Sequence, residues 1–161
     1  MRKEKEAGAL KALIRASAFV SGAAILAMML VTCADVIGRR IGFPLQGAYD
    51  IVRLVGGVAI ATALPLTTAV KGHVAIEYFF HRLGPGGRAA VDALMRTLQT
   101  GAFLFAAFAF YRRGVRLFLG GEATPTLRLP IFWLAWLVAA MCLLTAFISL
   151  YHLLRPGREL R

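Results

Sequence analysis

Two acidic–basic pairs stand at the ends of apolar runs in this 161-residue chain. Asp35 and Arg39 are four residues apart, so on a helix they share one face and can form an ion pair. Asp50 and Arg53 are three apart, and an acidic side chain suits the first turn of a helix. Because ionisable groups at membrane depth are costly, the first pair predicts either an ion pair that ends a helix or a contact with a partner protein. We expect these four residues to form a charged cluster that ties the first two helices together or to that partner.

A second polar segment follows the second apolar run. His73 and Glu77 are four residues apart and can share a helical face. The histidine is either a proton relay or a structural side chain at the interface. Residues 74–83 predict a short amphipathic helix on the membrane surface, with aromatic side chains as its anchors.

The sequence lacks the patterns of common reactive sites. It has no P-loop, no nucleophile constellation and no metal-ligand spacing. The middle third of each apolar run has no ionisable residue, whereas complete ion-coupled transporters usually place such groups there. We therefore predict that the chain is not an enzyme, carries no cofactor or metal of its own and acts as an accessory subunit.

The composition excludes a soluble globular domain. Hydrophobic residues make up 59% of the chain and charged residues 17%, with a mean hydropathy of +0.70. Soluble domains have about 45–50% and about 25%. The net charge of +11 would suit nucleic acid in a soluble protein. Here the basic residues flank the apolar runs, so we expect contact with membrane lipids and not with nucleic acid.

Four apolar runs predict an all-α integral membrane protein, since backbone polar groups in lipid must be paired within helices. The expected organisation is a basic tail at 1–15, a four-helix membrane domain at 16–154 and a second tail at 155–161. The transmembrane helices are expected at about 14–36, 47–70, 92–113 and 130–154. The surface helix after the second span completes this fold class.

The basic residues predict the orientation. Twelve of the nineteen Lys and Arg residues lie in the two tails or between the second and third apolar runs. Cytoplasmic segments carry the excess of basic residues. We therefore expect both termini in the cytoplasm.

Two other functions remain open on these residues. A haem- or quinone-binding anchor of a respiratory enzyme would need axial histidines inside the spans, but His73, His81 and His152 fall at or beyond helix ends. A small self-sufficient exporter would need a membrane-embedded carboxylate in the first helix, and Asp35 lies at the end of that helix.

Four motifs resemble one family in type and in order. DVIGRR at 35–40 is similar to the D-V-x-x-R-x that ends the first helix in DctQ-like small membrane subunits of tripartite ATP-independent periplasmic (TRAP) transporters. Asp50 stands where that family often has an acidic residue. GHVAIE at 72–77 is similar to G-H-I-x-V-D, with Glu77 in place of Asp. TPTLRLP at 124–130 resembles T-P-x-L-x-x-P.

The resemblance implies a complex with three parts. A periplasmic binding protein captures an organic acid, and a large membrane subunit moves the substrate with sodium. The small subunit is implied to be a non-catalytic scaffold for the large one in the bacterial inner membrane. It is also implied to help dock the binding protein. Its expected partner-binding residues are Asp35, Arg39, Arg40, Asp50, Arg53, His73 and Glu77.

Overall fold

A computed structural model describes residues 2–69 and 85–154 of the chain. It places four helices there: α1 (Arg2–Arg40), α2 (Ala48–Ala69), α3 (Pro85–Leu119) and α4 (Phe132–Leu154). Each is long and apolar enough to cross a membrane, over Lys11–Arg40, Ala48–Ala69, Ala93–Leu119 and Phe132–Leu150. No strand occurs in these described ranges, so the predicted all-α membrane fold is confirmed. The predicted surface helix, His73 and Glu77 lie outside the described residues.

Two helices are longer than the expected spans. The first runs through the basic segment from Arg2. The third begins at Pro85 and includes the two glycines after it, although the Gly-Pro-Gly-Gly segment predicts a break. Proline fits the first helical position, because its missing N–H would have no partner there in any case. The segment therefore starts a helix.

The helices lie in a row in the order α1, α2, α4, α3. The first packs on α2, α2 packs on α4, and α4 packs on α3. Buried residues make up 33% of the most apolar window of α2 and 39% of that of α4, against 11% in α1 and 6% in α3. We call α2 and α4 the inner pair, and α1 and α3 the outer pair.

Adjacent glycines let α2 contact a neighbour on each side. A Cβ on Gly56 would lie 3.0 Å from the Met28 sulfur of α1, and one on Gly57 would lie 2.7 Å from a Leu134 methyl carbon of α4. Successive residues on a helix point about 100° apart, so the two glycines face different neighbouring helices. Small residues at such positions allow membrane helices to approach closely.

An aromatic group joins α4 to α3. The Trp136 indole occupies the space that a Cβ on Gly114 would need. Its ring lies 5.2 Å from that of Phe132, and the Phe132 ring lies 5.1 Å from that of Phe118. Edge-to-face pairs at these distances are favourable. These side chains thus fix the ends of α3 and α4 beside the connection between them.

Candidate functional site

The first connection begins with a turn that needs glycine. The Phe43 N–H donates to the Gly38 carbonyl at 2.8 Å, and Gly42 has a φ of +83°. This hydrogen bond closes a turn of six residues that contains a left-handed glycine, which is the Schellman motif at the C-terminus of a helix. A side chain at Gly38 would collide with the Phe43 carbonyl. The glycine of the DVIGRR motif is therefore explained by this turn.

Asp35 bonds both to its own helix and to this connection. Its Oδ2 accepts from Arg39 Nε at 2.8 Å, and its Oδ1 accepts from the Leu45 N–H at 3.1 Å. The Asp35 side chain is 15% exposed and the Arg39 side chain 66% exposed. The i,i+4 pair expected from the sequence is present. Its cationic half faces outward, as does Arg40.

Asp50 makes a different kind of contact. It lies in the first turn of α2 and has no exposed surface. Its Oδ2 accepts from the N–H groups of Thr126 and Leu127, at 2.9 and 2.8 Å. These donors belong to the connection between α3 and α4. Hydrogen bonds to a charged acceptor are stronger than neutral ones, so this carboxylate fastens the start of α2 to the segment that leads into α4.

The connection that holds these donors is a closed turn. Thr124 donates its N–H to the Leu129 carbonyl at 2.8 Å, and its hydroxyl accepts from the Leu129 N–H at 3.0 Å. Ala123 and Pro130 form an antiparallel bridge beside it. Arg128 closes the turn with a φ of +52°. The TPTLRLP motif thus forms a structure that presents two adjacent N–H groups to Asp50.

Packing reinforces this hydrogen-bonded contact. Gly47, directly before α2, has a φ of +85°. A Cβ there would lie 2.5 Å from Cγ of Leu127. The Leu127 side chain therefore rests on the backbone of the first connection, while its N–H bonds to Asp50. We call this contact between the first and third connections the Asp50 clamp, formed by Gly47, Asp50, Thr124, Thr126 and Leu127.

Arg53 forms no ion pair with Asp35 or Asp50 in the described residues, although its charge interacts with that of Asp50 over a longer distance. The Arg53 side chain is exposed. It lines a cavity of about 220 Å³ together with Arg113 and Glu122. The four residues expected to form one charged cluster thus divide into a local pair, a buried clamp and a cavity wall.

The sequence singled out the TPTLRLP motif at 124–130 but did not predict its contact with Asp50. The partners of Asp50 are backbone groups, and Thr124 supports them through its own turn. The available signal was the pair of prolines, Pro125 and Pro130, that bracket four residues directly before an apolar run. Prolines that bracket such a stretch indicate a fixed turn. They do not show which carboxylate the turn meets.

Together, the four apolar helices and the absence of strands from the described ranges define a multi-pass membrane protein. The model of the family "Tripartite ATP-independent periplasmic transporters, DctQ component" matches residues 28–159. The chain belongs to this family, and is a small component of a TRAP transporter that works with other TRAP subunits. Comparison with curated proteins and with solved structures gives no match.

Proposed function

We propose that this chain is the small permease subunit of a sodium-coupled TRAP transporter for organic acids. In this role it is a non-catalytic scaffold for the large membrane subunit. The sodium gradient is used by the complex, and the chain carries no cofactor of its own. Membership of the DctQ family supports the subunit assignment.

The observation that carries the scaffold role is the low burial of the outer pair. Only 11% of the apolar window of α1 and 6% of that of α3 is buried within the chain. Large side chains on both helices are exposed, such as Phe19 at 78% and Phe105 at 74%. In a membrane, such surfaces are covered by lipid or by other helices. A row of helices with two free sides suits a subunit that packs against a larger one.

We place the chain in the bacterial inner membrane with both termini in the cytoplasm. The distribution of Lys and Arg supports this orientation. The first and third connections, joined by the Asp50 clamp, then face the periplasm. A fixed pair of connections on that side is a suitable contact for the periplasmic binding protein.

The residues proposed for partner binding take different parts in this scheme. Arg39, Arg40 and Arg53 are exposed and available to a partner. Asp35 orients Arg39 through its ion pair. Asp50 is buried within the chain. We therefore propose that it stabilises the surface that contacts the partner and does not itself touch the partner. His73 and Glu77 keep their proposed role, and they lie outside the described residues.

Co-purification tests this function. The tagged full chain is expressed from its own operon, purified in mild detergent and examined by mass spectrometry. We expect the large TRAP subunit in a one-to-one ratio. A chain that purifies alone, or with soluble redox subunits and a haem absorption band, would contradict the proposal.

A charge reversal tests the partner-binding residues. We expect Arg39→Glu to reduce co-purification and uptake, because it replaces an exposed cation with an anion beside Asp35. The matched control is Arg39→Lys, which keeps the charge. Unchanged assembly and uptake in Arg39→Glu would remove Arg39 from the contact surface.

A further inference from the structure

The cavity lined by α2, α3 and α4 has charges of both signs on apolar walls. Arg53 comes from α2, Arg113 from α3, and Glu122 from the connection after α3. All three are exposed side chains, and no ion pair within 4 Å joins them to one another in the described ranges. The other lining residues are apolar: Phe110, Leu117, Ile131, Leu134, Ala135 and Val138. The cavity therefore offers two cations and one anion beside an apolar surface.

The polar and apolar parts lie at different depths. Phe110 precedes Arg113 by three residues on a helix that ends at Leu119, which puts it about 4.5 Å further from the connections. Val138 is six residues into α4, about 9 Å from its start. Arg113 is six residues before Leu119, so it lies about 9 Å inside the helix, level with Val138, and Glu122 lies outside the helix, in the connection. The carboxylate, the guanidinium group and the Phe110 ring thus follow one another inward, which is the order of amine, phosphate and acyl chain in a lipid with a zwitterionic headgroup.

The size of the cavity restricts its ligand. Its volume of about 220 Å³ is below the range of about 300–1,000 Å³ for small-molecule sites. It has space for a lipid headgroup and the first carbons of an acyl chain. Guanidinium groups are well suited to phosphate, which they bind through charge-assisted hydrogen bonds. A carboxylate nearby suits an ammonium group.

We propose that this cavity binds the headgroup of an ethanolamine phospholipid. Arg53 and Arg113 hold the phosphate, and Glu122 accepts from the ammonium. The acyl chains begin along Val138 and Phe110. Arg53 also belongs to the proposed partner-binding residues, so the tests use Arg113 and Glu122, which have no proposed role in partner binding.

Native mass spectrometry of the purified full chain tests the site. The chain in mild detergent is incubated with phosphatidylethanolamine or phosphatidylglycerol, and the retained lipid is measured. We expect Arg113→Gln to lower retention of both lipids by about tenfold, as for the loss of one charge-assisted hydrogen bond. Arg112→Gln is the matched control, since it removes the same charge from the next residue of α3, which does not line the cavity. Equal retention in the two variants would overturn the site.

Three further measurements identify the ligand and exclude misfolding. Glu122→Gln is expected to lower retention of phosphatidylethanolamine but not of phosphatidylglycerol, and equal effects on both would overturn the ammonium contact. Excess inorganic phosphate is expected to leave the lipid bound, and displacement would show a free-anion site instead. Arg113→Lys is expected to recover part of the retention. Loss in this variant as large as in Arg113→Gln, with a lowered melting temperature, would indicate a packing role and contradict the proposal.

Discussion

The inner and outer helices of this chain differ in how much of their surface the chain itself buries. In α2 and α4, 33% and 39% of the most apolar window is buried by the chain itself, against 11% and 6% in α1 and α3. The adjacent glycines of α2 explain part of this difference, because they admit Met28 on one side and Leu134 on the other. The inner pair is thus specified by the sequence of this chain. The outer pair leaves its apolar surface for lipid or for another subunit.

Two acidic residues show the same contrast. Asp50 starts an inner helix, is fully buried and bonds to backbone groups 76 and 77 residues later. Asp35 ends an outer helix and bonds within ten residues of itself, to the exposed Arg39 and to the Leu45 N–H. The first carboxylate is therefore expected to hold tertiary structure, and the second to hold a local turn.

The largest effect is expected from Asp50→Ala. The substitution leaves the N–H groups of Thr126 and Leu127 without their shared acceptor, and buried donors without a partner are costly. We expect the apparent melting temperature in detergent to fall by about 5 °C or more. Asp50→Asn retains one acceptor oxygen, so its melting temperature should fall by less than that of Asp50→Ala. A melting temperature unchanged in both variants would show that the Asp50 clamp does not stabilise the fold.

Gly114→Ala should have the next largest effect. The added methyl group needs the space of the Trp136 indole, so α3 and α4 must separate. Overpacking of this kind costs about 1–3 kcal/mol. Gly101→Ala is the matched control on the same helix, since a Cβ there meets nothing within 4 Å. Thermal unfolding should distinguish the two, and equal melting temperatures would argue against this helix contact.

Gly47→Ala and Gly42→Ala separate the clamp from backbone strain. Both glycines have a left-handed φ, +85° and +83°, so alanine costs roughly 1–2 kcal/mol at each. Only at Gly47 does the new Cβ also meet Leu127. We expect Gly47→Ala to be the less stable variant by thermal unfolding. The reverse order would place Leu127 outside the clamp.

Asp35→Asn is expected to have the smallest effect. Arg39 is 66% exposed, and exposed ion pairs contribute about 0–1 kcal/mol. The amide oxygen can still accept from Leu45. The difference in melting temperature between the wild type and Asp35→Asn should be smaller at high salt, because screening weakens exposed ion pairs. If the melting temperature of Asp35→Asn fell as far as that of Asp50→Asn, the two acidic residues would not differ in their contribution to stability.

Local and compositional features were predictable from the sequence, and long-range contacts were not. Apolar runs indicated the four spans, and the i,i+4 spacing indicated the pair of Asp35 and Arg39. The start of α3 at Pro85 was missed because glycine-rich segments usually break helices. The acceptor role of Asp50 was missed for another reason. Its donors are backbone N–H groups, which every residue except proline carries, so no side-chain pattern marks them.

Site-specific cross-linking tests most directly whether the outer pair binds the large subunit. Both native cysteines are replaced by serine, and single cysteines are introduced at exposed positions on two faces of each outer helix: Phe19, Ile25, Leu104 and Phe105. Ala146 of α4 is the buried control at 2% exposure. After labelling with a photoreactive maleimide, we expect capture of the large TRAP subunit from at least one outer position and none from Ala146→Cys. A complex that still co-purifies but is captured from no outer position would contradict it.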